Sequence, residues 1–301
     1  LELMRVAHTP SVLICFLVCV LGVTLVHAQS DDHLKLPSKL KPVCFEDGRD
    51  WIDDILTEKS GYDATIIHGV SQQTNTYCGV ASSVMILNSI QIDAPQDENH
   101  GFPYFNQDNF FSESVENILP ASQVLAQGYT LDQLGDALRQ WEYGYYGDDE
   151  DDRPSKKAFV VEDVVHANTV DKDDFRLQVK NHMRIQKARF IINFNRKSLG
   201  QEEQDLGHFS PIVAFNELED MVLLFDVARY KYECPTYWVP IDLLYDGMRS
   251  KDSVSGLARG YIIIDDPYDG HNSDSSSDGS TPWYIILVVV LGAISYSCIT
   301  C

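Results

Sequence analysis

The order in which apolar patterns change along this chain constrains its fold most. From Cys78 onward, Val80, Ala81, Val84, Met85, Leu87 and Ile90 recur at helical spacing. A second helix is expected over Leu131 to Trp141, capped by Thr130. A third runs to about Gln186, with Asp173 or Asp174 as cap. Short apolar runs then follow at Phe190 to Phe194, Ser210 to Phe215, Met221 to Asp226 and Gly260 to Ile264, each of strand length. Helices early and strands late predict an α+β domain. No repeat of 20–50 residues is present, which argues against a solenoid.

The ends differ from this body, which runs from about Cys44 to Asp266. Met4-Arg5 opens a short basic region, Ser11 to Val26 is nearly all apolar, and Val26-His27-Ala28 offers a cleavage site before Gln29. That is the pattern of a secretory signal peptide over residues 1–28. Residues 29–61 read as an N-terminal extension and 62–266 as the main folded domain. Residues 267–281 read as a polar linker, with Ser, Asp and Gly dominating from His271. Residues 282–301 are almost uncharged and long enough to cross a bilayer, so either a retained span or a lipid-anchor signal is expected. The location implied is the secretory pathway, with the body held at a membrane on its lumenal or outer face.

Charge narrows the partners. A net charge of −22 and a pI near 4.6 argue against nucleic-acid binding, because a polyanion is repelled. The acidic run Asp148 to Asp152 reads as a solvated loop. Of seven cysteines, three fall in the body: Cys44, Cys78 and Cys234. An odd count in a secreted chain flags a free thiol. Cys44 and Cys234 could pair and leave Cys78 free, but spacing alone does not decide it. No cysteine or histidine cluster has the spacing of a structural zinc site.

Cys78 opens its helix, where the positive end of the dipole favours a thiolate. Gln72, six residues earlier, can donate an amide N–H to an oxyanion beside the backbone N–H of Cys78. This spacing is the arrangement of papain-like enzymes. His208 starts one strand signal and Asp226 ends the next, so antiparallel pairing sets them side by side. Nucleophile, base and orienting acid thus occur in the order Cys, His, Asp.

The segments QQTNTYCGVASSVMILN from Gln72, GHFSP from Gly207 and DVARYKY from Asp226 resemble phytochelatin synthase, most of all its short bacterial, cyanobacterial-type members. QDNFF from Gln107, TLDQLG from Thr130, Trp238-Val239 and Arg259-Gly260 extend the likeness over about residues 62–264. The resemblance implies a papain-like fold, a Cys78–His208–Asp226 triad and Gln72 as oxyanion donor. It also implies glutathione and its metal complexes as substrates. Asp252 and Arg259 would take the ammonium and carboxylate of the γ-glutamyl head; Asn193, Arg196 and Arg229 match further family positions. Arg229 could equally pair with a neighbouring acid and only support structure. No organic cofactor is implied. A heavy metal, cadmium or zinc, enters as a thiolate complex of the substrate, and no residue is assigned to bind it. The resemblance does not reach the Cys-rich C-terminal extension of plant members, and an anchor-like tail is expected in its place. Transfer of γ-Glu-Cys to a second glutathione, simple hydrolysis, and a secreted papain-like peptidase of other specificity all share this nucleophile. A homodimer is also open to such a chain.

Overall fold

The computed structural model describes residues 33–45, 48–52, 62–146, 154–184 and 188–265. The segments expected to be a signal peptide, a linker and an anchor, and the acidic run Asp148 to Asp152, lie outside them. Among the described residues no helix is long and apolar enough to cross a membrane.

In chain order the elements that position the site are β1 (Lys41–Pro42), α1 (Tyr62–Ile66), α2 (Cys78–Ile90), α3 (Glu113–Glu116), α4 (Ala121–Gln127) and α5 (Leu131–Arg139). Then come β2 (Val160–His166), α6 (Lys172–Arg184), β3 (Ala188–Asn195), β4 (Gly207–Asn216), β5 (Met221–Phe225), β6 (Thr236–Pro240), α7 (Ile241–Met248) and β7 (Gly260–Asp265). Seven strands form one antiparallel sheet in the order β1-β6-β5-β4-β3-β7-β2. This is the expected α+β class.

Both faces of the sheet are covered, which explains the unbroken apolar runs. Ile191, Phe209, Leu223 and Ile262 join a core with α2 and α5, whereas Phe190, Ile192, Val222 and Ile263 join another with α6 and α7. A strand buried on both faces loses the polar alternation of a half-solvated one. Helix α2 is buried from Cys78 through Ser89 and packs on β4. Asn88 fixes its far end, exchanging two hydrogen bonds with the backbone of Phe105.

Three local expectations change. Thr130 does cap α5, through a full capping box with Gln133, but α5 ends at Arg139. Helix α6 is capped by Asp171, whose carboxylate accepts the N–H of Asp174 at 2.8 Å; Asp173 and Asp174 fall in the first turn. The third is the segment before residue 62, which contributes β1 to the sheet edge. Cys44 is disulfide-bonded to Cys234, with Cα atoms 5.8 Å apart. Leu34 also pairs with Tyr232, so this strap lies along the loop that follows Asp226.

Candidate active site

Strand pairing assembles the site. His208 lies opposite Phe194 at the start of β4, and Asp226 follows the last residue of β5. Nε2 of His208 and Oδ1 of Asp226 are 2.8 Å apart. The other ring nitrogen, Nδ1, is thereby left as the acceptor, and Phe194 packs edge-on to the ring at 5.6 Å. Cys78 meets the same strand: its Sγ accepts backbone N–H groups from Phe209, the residue after His208, and from Gly79. Cys78 is the free cysteine among the described residues.

Asp226 is fully buried yet fully supplied. Oδ1 also accepts from Arg196 Nη2 at 2.8 Å and from the Ala228 N–H at 2.9 Å; Oδ2 accepts from the Tyr237 hydroxyl at 2.9 Å. Gln201 donates to the Tyr237 hydroxyl and accepts from Arg196, closing the network. Burial alone would push this carboxyl up; Arg196 and His208 outweigh it and hold it well below the usual carboxylate range. Arg196 itself is 2% exposed and is turned onto Asp226, Gln201 and Tyr232.

Desolvation reverses the expected charge state of the nucleophile. Burial pushes the Cys78 thiol up, and the N–H groups, helped by Arg196, only partly oppose it. The helix-start dipole therefore does not decide. Burial, followed by the Arg196 charge, pushes His208 down to about 4 against the pull of Asp226. Thiol and imidazole are both neutral at pH 7. With Asp226 ionised, the imidazole proton sits on Nε2, which leaves Nδ1 as the basic nitrogen.

Gln72 lies against the residue after Asp226, its own N–H bonded to the Val227 carbonyl at 2.8 Å. Its side-chain amide donates to the Thr74 carbonyl at 2.7 Å and to the Tyr230 hydroxyl at 3.1 Å; its buried Oε1 has no hydrogen-bond partner.

A second cluster abuts the first. A turn closed by the Lys251–Ala258 bridge carries Asp252 and Arg259 to the same side. Arg259 Nη1 donates to Asn193 Oδ1 at 3.0 Å and lies 4.0 Å from Asp252 Oδ1, while its buried Nε has no partner. Gly207 makes room: a Cβ there would lie 2.1 Å from Arg259 Nη1. His208 is the next residue, so this cluster borders the Cys–His pair. Arg229 stays on the surface, with its guanidinium over the Phe225 ring.

Comparison with known proteins now bears on this arrangement. The family model for phytochelatin synthase matches residues 32–261. The chain belongs to the phytochelatin synthase family. Among its relatives, glutathione gamma-glutamylcysteinyltransferase 3 of Lotus japonicus is 30% identical over 204 residues, 68% of this chain and 37% of that protein. The Schizosaccharomyces pombe glutathione gamma-glutamylcysteinyltransferase is 31% identical over 196 residues, 65% of this chain and 41% of its own. Glutathione gamma-glutamylcysteinyltransferase 2 of Arabidopsis thaliana is 30% identical over 208 residues, 69% of this chain and 40% of its own. The chain thus spans about two fifths of the length of the curated relatives it matches.

Spacing in this phytochelatin synthase family chain pointed to Cys78, His208, Asp226 and Gln72, and these converge. It did not point to Tyr237, Gln201 or Tyr230, which touch Asp226, its network and Gln72. The one available signal was a hydroxyl or amide residue inside or beside an apolar strand, where a buried polar group needs a partner. Among the described residues no group of three or more His, Cys, Asp or Glu side chains could hold a metal ion. A surface cavity of about 570 Å³, lined by residues such as Asn109, Glu113 and Trp141, contains none of these site residues.

Proposed function

We propose that this chain is a glutathione γ-glutamylcysteinyltransferase that works through Cys78, His208 and Asp226. The observation that carries the reading is the His208–Asp226 bond, made to a buried, four-donor Asp226, with Cys78 set against the backbone of Phe209, the residue after His208. His208 Nδ1 takes the thiol proton as Sγ attacks the cysteinyl carbonyl of γ-Glu-Cys-Gly. Imidazolium, stabilised by Asp226, then protonates the departing glycine amine as the C–N bond breaks. A γ-Glu-Cys thioester remains on Cys78. The amine of a second glutathione displaces sulfur, giving the extended peptide, or water gives γ-Glu-Cys. The names of the relatives favour transfer.

Gln72 and the backbone N–H of Cys78 serve the oxyanion in this reading. Asp252 and Arg259 take the γ-glutamyl ammonium and carboxylate, and the unpartnered Arg259 Nε and the 4.0 Å gap to Asp252 are consistent with a ligand between them. A peptide main chain has no such head group. Arg196 is better suited to holding Asp226 than to meeting substrate. Metal enters as a thiolate complex of glutathione, as substrate. The fold is papain-like, with the nucleophile heading a helix and base and acid on the sheet. The location is an exported, membrane-held one, and the Cys44–Cys234 bond fits an oxidising compartment.

Incubating the protein with glutathione, with and without cadmium, and weighing the products tests this. Cys78→Ala is expected to abolish glycine release, by about 10³-fold or more, while Cys234→Ala keeps most of it. Glycine release that survives in Cys78→Ala sinks the mechanism.

A further inference from the structure

The side chain of Gln72 is fully committed. Its amide has two N–H bonds, and both are in use, one on the Thr74 carbonyl at 2.7 Å and one on the Tyr230 hydroxyl at 3.1 Å. An oxyanion can be served only if one of these is given up. The Thr74 bond is short, local and made to a backbone carbonyl. The Tyr230 bond is longer, crosses from the loop after Asp226, and belongs to a side chain 47% exposed. It is the bond that can open.

Tyr230 is held as an acceptor. Its hydroxyl proton goes to Asn75 Oδ1 at 2.8 Å, so its lone pairs face Gln72. Partial burial, with smaller contributions from Asp226 and Cys78, keeps it a neutral hydroxyl and marks it as a neighbour of the nucleophile. The ring thereby bridges the two loops that flank Cys78, those of Gln72–Asn75 and Asp226–Tyr232. Asn75 and Gln72 hold the bridge from one side, and the strap bonded at Cys234 backs the other.

We infer that Tyr230 caps the oxyanion donor in the resting protein, its hydroxyl standing where the substrate carbonyl oxygen must go, and that substrate binding displaces it. This rests on the reading of Gln72 as oxyanion donor. A closed cap multiplies apparent affinity by the fraction of molecules that are open, so removing it acts on KM rather than on kcat. Tyr230→Phe keeps the ring and deletes the hydroxyl, and with it both the competing acceptor and the bond to Asn75. It is expected to raise kcat/KM for glycine release from glutathione about five-fold, the weight of one net neutral hydrogen bond, mostly through KM.

A double-mutant cycle with Gln72→Ala separates the two readings. Gln72→Ala alone is expected to lose about 10²-fold in kcat, as for a lost oxyanion donor, and Tyr230→Phe is expected to give no gain on that background. If Gln72→Ala keeps its rate, the donor reading falls and takes the cap with it. If Gln72→Ala is impaired as expected but Tyr230→Phe leaves kcat/KM unchanged or lowers it, the cap alone is overturned. A gain of equal size on both backgrounds also overturns it, since the ring would then act without Gln72.

Discussion

Two buried arginines sit at the same end of the sheet and are treated in opposite ways. Arg196 is 2% exposed and Arg259 5%. Arg196 has a carboxylate at 2.8 Å, an amide and a phenol. Arg259 has one amide oxygen, its nearest acid 4.0 Å away, and a buried Nε with no partner. Removing a charge from water is costly unless hydrogen bonds and an opposite charge offset it. The first arginine is completed by the protein itself, which suits machinery that must hold one geometry. The second is left incomplete, which suits a group that a ligand completes. Stability and activity should therefore separate between them.

Arg196→Met gives the largest effect. It strands a fully buried Asp226 without its main counter-charge, and breaking a buried pair typically costs about 3–5 kcal/mol. Glycine release should fall with it, since the acid no longer fixes His208. Asp226→Asn, which keeps the shape, should lose activity by about 10⁴-fold, as when the orienting acid of a triad is neutralised. Thermal melting and kcat/KM, measured on both variants, check this. An Arg196→Met protein that melts like the parent would break the comparison at its first term.

How much of this was legible beforehand depends on what kind of signal each part leaves. Helix α2 and strands β3, β4, β5 and β7 were legible because each is a clean apolar run ended by polar or turn residues. Strand β2 was missed because Glu162 and Asp163 interrupt its apolar residues at an irregular register on the sheet edge. Strand β6 is five residues ending in a proline that leads straight into α7. At the site, spacing pointed to the Cys, His and Asp because they sit at element ends, where the helix and two strands are brought together. Spacing could not say which way Arg196 turns: its partners Asp226, Gln201 and Tyr232 come from two different loops. Nor could it foresee that burial outweighs the helix dipole at Cys78, because desolvation is a property of the packed fold.

Arg259→Leu is the reciprocal experiment and the next in size. Deleting an incompletely paired buried charge should leave the melting temperature unchanged or raise it, because an apolar side chain of similar reach needs no partner. Binding, in contrast, loses a charge-assisted contact worth about 1.5–3 kcal/mol, so kcat/KM for glutathione should drop by roughly a hundredfold. Arg259→Lys is not expected to restore it, since a point charge lacks the planar fork. Stable protein with poor kcat/KM sharpens the contrast with Arg196. Unstable protein, or normal handling of glutathione, shows that Arg259 belongs to the scaffold.

The smallest effect is a pH dependence seated in the self-completed region. His208 is buried and neutral, its pKa pushed down from the usual 6.5 to about 4, by burial first and the Arg196 charge second. The sign follows from proton counting. Between these values the unfolded chain binds a proton at this histidine and the folded chain does not, so acid favours unfolding. The contribution is fully present above about 6.5, is lost as pH falls, and levels off below about 4. Over the first unit, from pH 6.5 to 5.5, the loss should be about 1 kcal/mol, or about 2–4 °C in Tm for a domain of this size. Other groups titrate in the same window, so the measurement is a difference. Tm is followed from pH 7 to 5 for the parent and for His208→Gln, and the variant's curve should be flatter by that amount. Glycine release should meanwhile persist well below pH 6.5, because the imidazole remains a free base there. Parallel melting curves for the two proteins would mean that His208 is not held neutral, and the pairing of a resting thiol with a neutral base would have to be abandoned.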